Sequence, residues 1–175
     1  MIKLLASILS TDIQMPLTNF ERMIELADEV FASKSDHNQL DVNEGVLEHL
    51  RQIHPATVSE YDDGKGPVAW LLVIPTTNDL MNQFLTGKIS ERELYELTPL
   101  GTTYEALYLC SAMVLKEYRR KGITRRLALS AVEAIRKDHP IQSLFVWTFS
   151  KEGRTGAEEL ARIVALPLYQ REVVS

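Results

Sequence analysis

The feature that most constrains the fold of this chain is the stretch over residues 105–138, which is predicted to form a strand, a basic turn and a helix. From Ala106 to Leu115 the residues are almost all apolar, and a run of this length without polar alternation is typical of a strand buried on both faces. Apolar residues then recur at helical spacing over 123–135, which predicts an amphipathic helix. The sequence therefore predicts a strand–turn–helix unit at the centre of the fold.

The turn inside this unit is strongly basic. Residues 116–126 contain six Lys or Arg residues, one acidic residue and a single glycine, Gly122. A helix leaves its first backbone N–H groups unpaired, and its dipole favours an anion at that end. Gly122 has no Cβ, so a phosphate can approach the backbone closely. Because Arg120, Lys121 and Arg125 add charged donors, the turn is predicted to bind a pyrophosphate.

The order of residues in the turn narrows the class of ligand. The chain contains neither a Gly-x-x-x-x-Gly-Lys-Ser/Thr string nor a Gly-x-Gly-x-x-Gly string, which disfavours P-loop and dinucleotide-binding folds. The segment from Val114 to Thr124 resembles the coenzyme A-binding motif of the GCN5-related N-acetyltransferases, in which a strand ends in Val and Arg/Gln-x-x-Gly-x-Gly/Ala opens a helix. Arg119 and Gly122 match fixed positions of that motif. Thr124 stands where the family usually has a second small residue.

The order of the predicted elements is similar to that of the same family. The resemblance implies a single acyltransferase domain over residues 1–175, with an α+β fold in α/β/α layers and a mixed, mostly antiparallel central sheet flanked by helices. A helical insertion before the fourth strand and a single strand after the last helix depart from the family plan. Strands are predicted over 3–10, 57–61, 67–74, 105–115, 144–149 and 167–174, and helices over 16–31, 43–53, 79–86, 90–97 (with Ser90 as N-cap and Glu93 completing a capping box), 123–138 and 156–166.

The resemblance also implies a site for acetyl-CoA. The pantetheine arm would follow the central strand and bond to backbone groups of Ala112, Met113 and Val114, and the pyrophosphate would bind the turn that follows. In the turn, the residues implied for the coenzyme are Arg119, Arg120, Lys121, Gly122, Ile123, Thr124 and Arg125.

Transfer in this family is direct, because the acceptor amine attacks the thioester while both substrates are bound. A base must deprotonate the amine, and a backbone N–H near Val114 can stabilise the developing oxyanion. Glu105 is a candidate base, or else a solvated strand end, and Tyr108 is a candidate substrate contact, or else a core tyrosine. Tyr169 is a candidate acid for the departing thiolate, although the Gly-Phe that usually follows such a tyrosine is missing. Cys110 is expected to pack in the core.

Charge and composition limit the other classes of function. The net charge is −5 although residues 116–126 carry +5, so the rest of the chain carries −10, which is unlike the broad basic face of a nucleic-acid-binding protein. The four histidines have no metal-ligand spacing, so no metal site is expected. Cys110 is a lone cysteine and no run approaches 18 apolar residues, so we expect a cytoplasmic protein that does not enter the membrane.

Together these features predict an acetyl-CoA-dependent N-acetyltransferase that acts on a primary amine of a small molecule or peptide. The first alternative is a catalytically silent module of the same fold that binds or senses an acyl-CoA, and the second is a nucleic-acid-associated protein that uses residues 116–126 on phosphates. The single strand after the last helix leads us to expect a homodimer. A cationic acceptor is favoured by acidic residues of the insertion, namely Asp79, Glu91, Glu93 and Glu96.

Overall fold

The computed structural model describes residues 16–32 and 38–172 of the 175-residue chain. Over these residues the chain has an α+β fold, in which six helices pack against a mixed, open sheet of five strands. The strand predicted over 3–10 lies outside the described residues. The helices are α1 (Asn19–Ala32), α2 (Glu44–Ile53), α3 (Asn78–Leu85), α4 (Glu91–Leu97), α5 (Ile123–Asp138) and α6 (Lys151–Val164), and the strands are β1 (Val58–Asp62), β2 (Pro67–Thr76), β3 (Ala106–Val114), β4 (Ser143–Val146) and β5 (Leu168–Gln170).

The five strands follow one another across the sheet in chain order. Strands β1, β2 and β3 are antiparallel neighbours, whereas β3, β4 and β5 run parallel. The prediction of a mixed sheet is confirmed. Among the described strand pairs two are antiparallel and two are parallel, so antiparallel pairs do not predominate in the described part of the sheet. The reason is that α5 and α6 each connect consecutive strands, and a strand reached through a crossover helix runs parallel to the one before it.

Two boundaries near the end of the chain differ from the prediction. Helix α6 begins at Lys151, well before residue 156, because the Ser150 hydroxyl accepts a hydrogen bond from the Gly153 N–H at 3.0 Å and caps the helix. Strand β4 ends at Val146 instead of residue 149, since its pairing with β3 ends there. The other described elements coincide with the predicted ones to within a few residues.

Side-chain caps fix the starts of the helices around the insertion. The predicted capping box of α4 is confirmed: the Ser90 hydroxyl accepts from the Glu93 N–H at 3.1 Å, and the Glu93 carboxylate accepts from the Ser90 N–H at 2.7 Å. Thr77 caps α3 in the same way, through the Leu80 N–H at 3.3 Å. Each such cap stabilises its helix by about 1 kcal/mol. The insertion is therefore a pair of well-defined helices.

The sheet and helices enclose two groups of buried apolar side chains. The larger one contains the fully buried Phe84 of α3, whose ring centroid lies 5.1 Å from that of Tyr108 and 5.8 Å from that of Phe145. Helix α5 adds its buried face to the same core. The smaller group joins α1 to the sheet beside the basic turn, and its buried members are Met23, Val68, Met113 and Leu115.

Candidate functional site

The central strand loses its neighbour on one side halfway along its length. Strand β3 pairs with β4 from Ala106–Ser143 to Leu109–Val146, but β3 itself continues to Val114. Within the described residues, the β4-facing edge of residues 110–114 therefore has no strand beside it. Ala112 is exposed even though it lies on the middle strand of five. The sheet thus opens at the residues whose backbone groups the sequence assigns to the pantetheine arm.

A β-bulge in β3 lies at the start of this opening. Leu72 of β2 pairs with Ser111, whereas the next residue, Val73, pairs with Leu109, so Cys110 is the extra residue of the bulge. Bulges bend a strand, increase its twist and often end pairing next to a functional site. The bulge gives a physical reason for β3 and β4 to separate after Leu109.

The basic turn connects this opening to the start of α5. Gly122 is the N-cap of α5 and has a left-handed conformation, with φ 72° and ψ 13°. No side chain caps the helix, whose first backbone hydrogen bond runs from the Arg126 N–H to the Gly122 carbonyl. The N–H groups of the first turn are thus left for another acceptor, as an anion site requires.

Arg120 adds backbone strain to the same turn. Its φ is 60°, so an L-residue lies in the left-handed region, which costs about 1 kcal/mol. Together Arg120 and Gly122 place two left-handed residues on either side of Lys121. When neighbouring residues of a turn alternate between right-handed and left-handed conformations, their backbone N–H groups point towards one side. This is a common anion-binding arrangement. Strain of this kind is often retained at ligand-binding turns.

The cations predicted to hold the pyrophosphate differ in what they contact. Arg125 Nη1 lies 2.8 Å from Oε1 of Glu159 on α6, in an ion pair between half-exposed side chains. Arg119 Nε donates to the Val114 carbonyl at 3.4 Å, next to the end of β3. Lys121 Nζ lies 5.1 Å from the centroid of the Tyr118 ring. Arg120 is exposed and has no ion pair within the part of the chain that the structure describes.

Some of the predicted coenzyme contacts can only be made by the backbone. The side chains of Met113 and Ile123 are buried, at 7% and 4% exposure, and Met113 belongs to the smaller apolar group beside the basic turn. Thr124 is half-buried. A Cβ added to Gly122 would meet Arg125 Nη2 at 3.4 Å, which is ordinary contact, so the need for glycine here arises from the left-handed backbone.

Glu105, the predicted base, lies at the opposite end of β3 from the opening. Its carboxylate accepts a hydrogen bond from the Asn78 N–H at 3.4 Å, at the start of α3. The strand rises about 3.3 Å per residue, so Glu105 is about 23 Å from Ala112. The structure does not bring this carboxylate to the candidate coenzyme site.

Tyr108 is fully buried, and its hydroxyl donates to Oε1 of Glu91 at 2.7 Å. Burial, followed by the neighbouring Glu91 charge, raises the pKa of this phenol well above its usual value, so the hydroxyl remains a donor at physiological pH. Cys110 Sγ lies 3.7 Å from the same carboxylate oxygen. Tyr108 therefore acts by holding Glu91.

Tyr169 lies on β5, within the strand predicted over 167–174, and about half of its surface is exposed. It is in register with Phe145 of β4, which is in turn in register with Tyr108. Residues in register on parallel strands share a face of the sheet, and two strand spacings separate Tyr108 from Tyr169 by about 10 Å. The opening between β3 and β4 begins beyond this level, after Leu109 and Val146.

Sequence reasoning missed the placement of Glu91, which it counted among several acidic residues of the insertion. The side chain is 8% exposed, and Oε2 accepts from the Leu40 N–H at 2.7 Å. Glu91 and Leu94 form the buried side of α4. A carboxylate three residues before a buried leucine, on the apolar side of a short helix, is the signal that could have identified it.

Arg171, just after β5, was also missed. Its guanidinium lies 4.6 Å from the ring centroids of both Phe84 and Trp147 and donates to the Ile89 carbonyl at 2.9 Å. Trp147 follows β4 directly, and its ring centroid lies 4.7 Å from that of Phe149. The structure thus brings a carboxylate, a guanidinium and several aromatic rings to the point where β3 and β4 separate.

The described part of the chain contains neither a cluster of metal ligands nor a helix that could span a membrane. Within it, no three His, Cys, Asp or Glu side chains come together in an arrangement that could hold a metal ion. None of its helices combines the length and apolar character needed to cross a membrane.

Comparison of the chain with protein-family models, curated proteins and solved structures found no match. The geometry described above is therefore the basis for assigning a function.

Proposed function

We propose that this chain is an acetyl-CoA-dependent N-acetyltransferase with a layered α/β/α fold like that of the GCN5-related enzymes. The observation that carries the proposal is the continuity between two features. The unpaired edge of β3 at residues 110–114 leads directly into a basic turn whose left-handed Arg120 and Gly122 precede the uncapped start of α5. A strand edge followed by a helix start suits a long ligand with an amide-containing arm and a phosphate group.

Each part of the chain then has a distinct role in binding. Backbone groups of Ala112 and Val114 orient the amide-containing arm, and the first N–H groups of α5 with Arg120 and Lys121 hold the phosphates. The Arg119 and Arg125 side chains reach the ligand by exchanging their present partners, the Val114 carbonyl and Glu159. Acetyl-CoA, when bound, supplies the thioester carbonyl that an amine can attack.

An exposed ion pair such as Arg125–Glu159 contributes little to stability, so its exchange for a phosphate is not costly. The backbone N–H groups near Val114 lie beside the position expected for the thioester and can donate to the developing oxyanion. The acceptor amine is a primary amine of a small molecule or peptide.

The alternative is a module of the same fold that binds an acyl-CoA without turnover. One observation favours it: the three predicted catalytic side chains do not converge, because Glu105 lies at the far end of β3 and Tyr169 lies two strands from Tyr108. A homodimer remains a separate prediction, which light scattering of the full chain at tens of micromolar tests.

The two functions are separated by measuring the release of free thiol from acetyl-CoA with a panel of primary amines. Time-dependent thiol release that requires both the amine and the protein supports the enzyme. Binding of acetyl-CoA by calorimetry without thiol release from any amine supports the silent module. Absence of both binding and release contradicts both functions.

A further inference from the structure

We propose that the Glu91 carboxylate receives the ammonium group of the acceptor, and that the acceptor is a primary amine carrying an aromatic or other apolar group. This inference rests on the acetyltransferase function proposed above and names the acceptor site that the function requires.

The carboxylate of Glu91 is buried and forms no ion pair with any of the described residues. Its donors are the Leu40 N–H and the Tyr108 hydroxyl, both at 2.7 Å, and Cys110 Sγ at 3.7 Å. Within residues 16–32 and 38–172, no Lys, Arg or His nitrogen lies within ion-pair distance of it. Buried charges in proteins are normally paired, because an uncompensated charge in a weakly polar environment is costly. A ligand cation would complete this arrangement.

The number of donors leaves room for such a cation. An ionised carboxylate has about four acceptor positions, and the described protein donors occupy three of them, one through a weak S–H group. The neutral Tyr108 hydroxyl keeps donating to Oε1 and so fixes the orientation of the carboxylate. Beside the described donors, one acceptor position of the Glu91 carboxylate thus remains for an ammonium N–H.

Glu91 also lies at the right place along the sheet. Its closest contact to β3 beyond Tyr108 is with Cys110, the extra residue of the bulge, where the strands begin to separate. A thioester held along residues 110–114 would therefore be next to an amine held by Glu91. No other buried carboxylate of the described residues lies on this side of the opening.

The aromatic residues that follow β4, here called the aromatic wall, indicate which kind of group is attached to the amine. Trp147 and Phe149 follow β4, their ring centroids lie 4.7 Å apart in a tilted arrangement, and Phe149 is 54% exposed. The indole N–H of Trp147 is buried and has no hydrogen-bond acceptor among the described residues. Exposed aromatic surface beside a buried, unsatisfied donor is typical of a ligand-binding cleft, in which the ring surface contacts apolar groups of the ligand and the donor binds one of its acceptor atoms. An aromatic or apolar group attached to the amine fits this wall.

The proton balance of the reaction follows from this placement. The ammonium passes one proton to the Glu91 carboxylate, and the freed lone pair on nitrogen forms the C–N bond with the thioester carbonyl carbon. The C–S bond breaks, and the second proton leaves nitrogen for the departing thiolate sulfur. The products are the amide and the free thiol, and Glu91 returns its proton to solvent.

The test uses two acceptors of similar shape, benzylamine, which is cationic at neutral pH, and phenylhydrazine, which is uncharged. In the Glu91→Gln variant we expect the KM for benzylamine to rise by about tenfold to a hundredfold, as for the loss of a charged hydrogen bond. The KM values for phenylhydrazine and acetyl-CoA should change little. Glu96→Gln, which makes the same change at an exposed position of α4, should leave all three unchanged. Equal effects on benzylamine and phenylhydrazine, or no effect, would overturn the proposal.

A second variant tests the aromatic wall without touching the core. Phe149→Ala changes an exposed ring and should raise the KM for benzylamine while leaving that for methylamine unchanged. Equal changes for the two amines overturn this part of the proposal. Calorimetry separates the inference from the proposed function: benzylamine binding that is lost in Glu91→Gln supports the site even if acetyl-CoA is not consumed. No benzylamine binding to the wild-type protein overturns it.

Discussion

Arg125 Nη1 lies 2.8 Å from Oε1 of Glu159. One of the cationic side chains at the start of α5 is therefore already paired with a carboxylate of α6. The sequence predicts the position of Arg125 in the first turn but not its partner, which lies on the next helix. The pairing has a direct consequence for ligand binding, because a phosphate at this turn has to compete with Glu159.

Removing the competing charge should therefore strengthen binding. In Glu159→Gln we expect the affinity for acetyl-CoA, measured by calorimetry, to increase about twofold to fivefold, the size of an exposed ion pair. The thermal midpoint should change little for the same reason. Glu158→Gln is the matched control, since it removes the neighbouring, exposed charge of α6. A weaker affinity in Glu159→Gln would mean instead that the ion pair holds Arg125 in place for the ligand.

The strained Arg120 should show opposite effects on stability and on binding. In Arg120→Gly the left-handed backbone is no longer strained, so the thermal midpoint should stay the same or rise by about 2–4 °C. The affinity for acetyl-CoA should fall about threefold to tenfold, because one charged donor is lost. Lys137→Gln removes one charge from the far end of α5 and serves as the control. An unchanged affinity in Arg120→Gly would contradict a role for this side chain in phosphate binding.

His139 should make stability depend on pH in the weakly acidic range. Its pKa is lowered, first because the ring is partly buried and then because His54 lies nearby, with ring centroids 5.9 Å apart. The unfolded chain then takes up a proton at higher pH than the folded protein. Stability from this group is complete above about pH 6.5 and declines as the pH falls from there towards the lower folded pKa.

The measurement is the urea midpoint at about pH 7.5 and at about pH 5.5, on either side of the usual histidine pKa. We expect the wild-type midpoint to fall more between these two values than that of His139→Asn, which cannot be protonated. Equal pH dependence in the two proteins would contradict the burial of a neutral His139. The lowered carboxyl pKa values, such as that of Asp63, act at lower pH and do not interfere.

Phe84 should be a main determinant of stability near the insertion. The ring is fully buried and contacts Tyr108, Phe145 and Trp147. Phe84→Ala should lower the free energy of unfolding by about 3–5 kcal/mol, as is typical for loss of a buried aromatic ring. Phe20→Ala, at a ring that is 55% exposed, is the control and should cost less than about 1 kcal/mol. Similar urea midpoints for the two variants would show that α3 does not pack on the sheet as described.

Most of the fold could be predicted from local patterns. Apolar periodicity located β2, β3 and α5, and cap residues such as Ser90 fixed helix starts, because these signals arise within a few residues of each other. The left-handed conformation of Gly122 was not predicted, because the sequence argument considered only its missing Cβ.

The features that decide the candidate site could not be predicted in this way. The opening of the sheet depends on where β3 stops pairing with β4, and no local pattern records that. The Glu91 carboxylate is held by hydrogen bonds from the Leu40 N–H and the Tyr108 hydroxyl, which are distant in sequence. The sequence already located Glu105 at the start of the central strand and the coenzyme contacts at its end, but the choice of Glu105 as the base did not take this separation into account.

The most direct test of the account is thermal unfolding with and without acetyl-CoA, for the wild-type chain and for Gly122→Asp. Aspartate tolerates a left-handed backbone and is favourable at a helix N-terminus, so this variant should fold while placing a negative charge where the phosphates bind. At 100 times its Kd, a ligand adds about 2.7 kcal/mol to the folded state, which is a rise of about 5–10 °C for a domain of this size. We predict this rise for the wild type and its loss in Gly122→Asp. No rise in the wild type, or the same rise in both proteins, would contradict an acyl-CoA site at the start of α5.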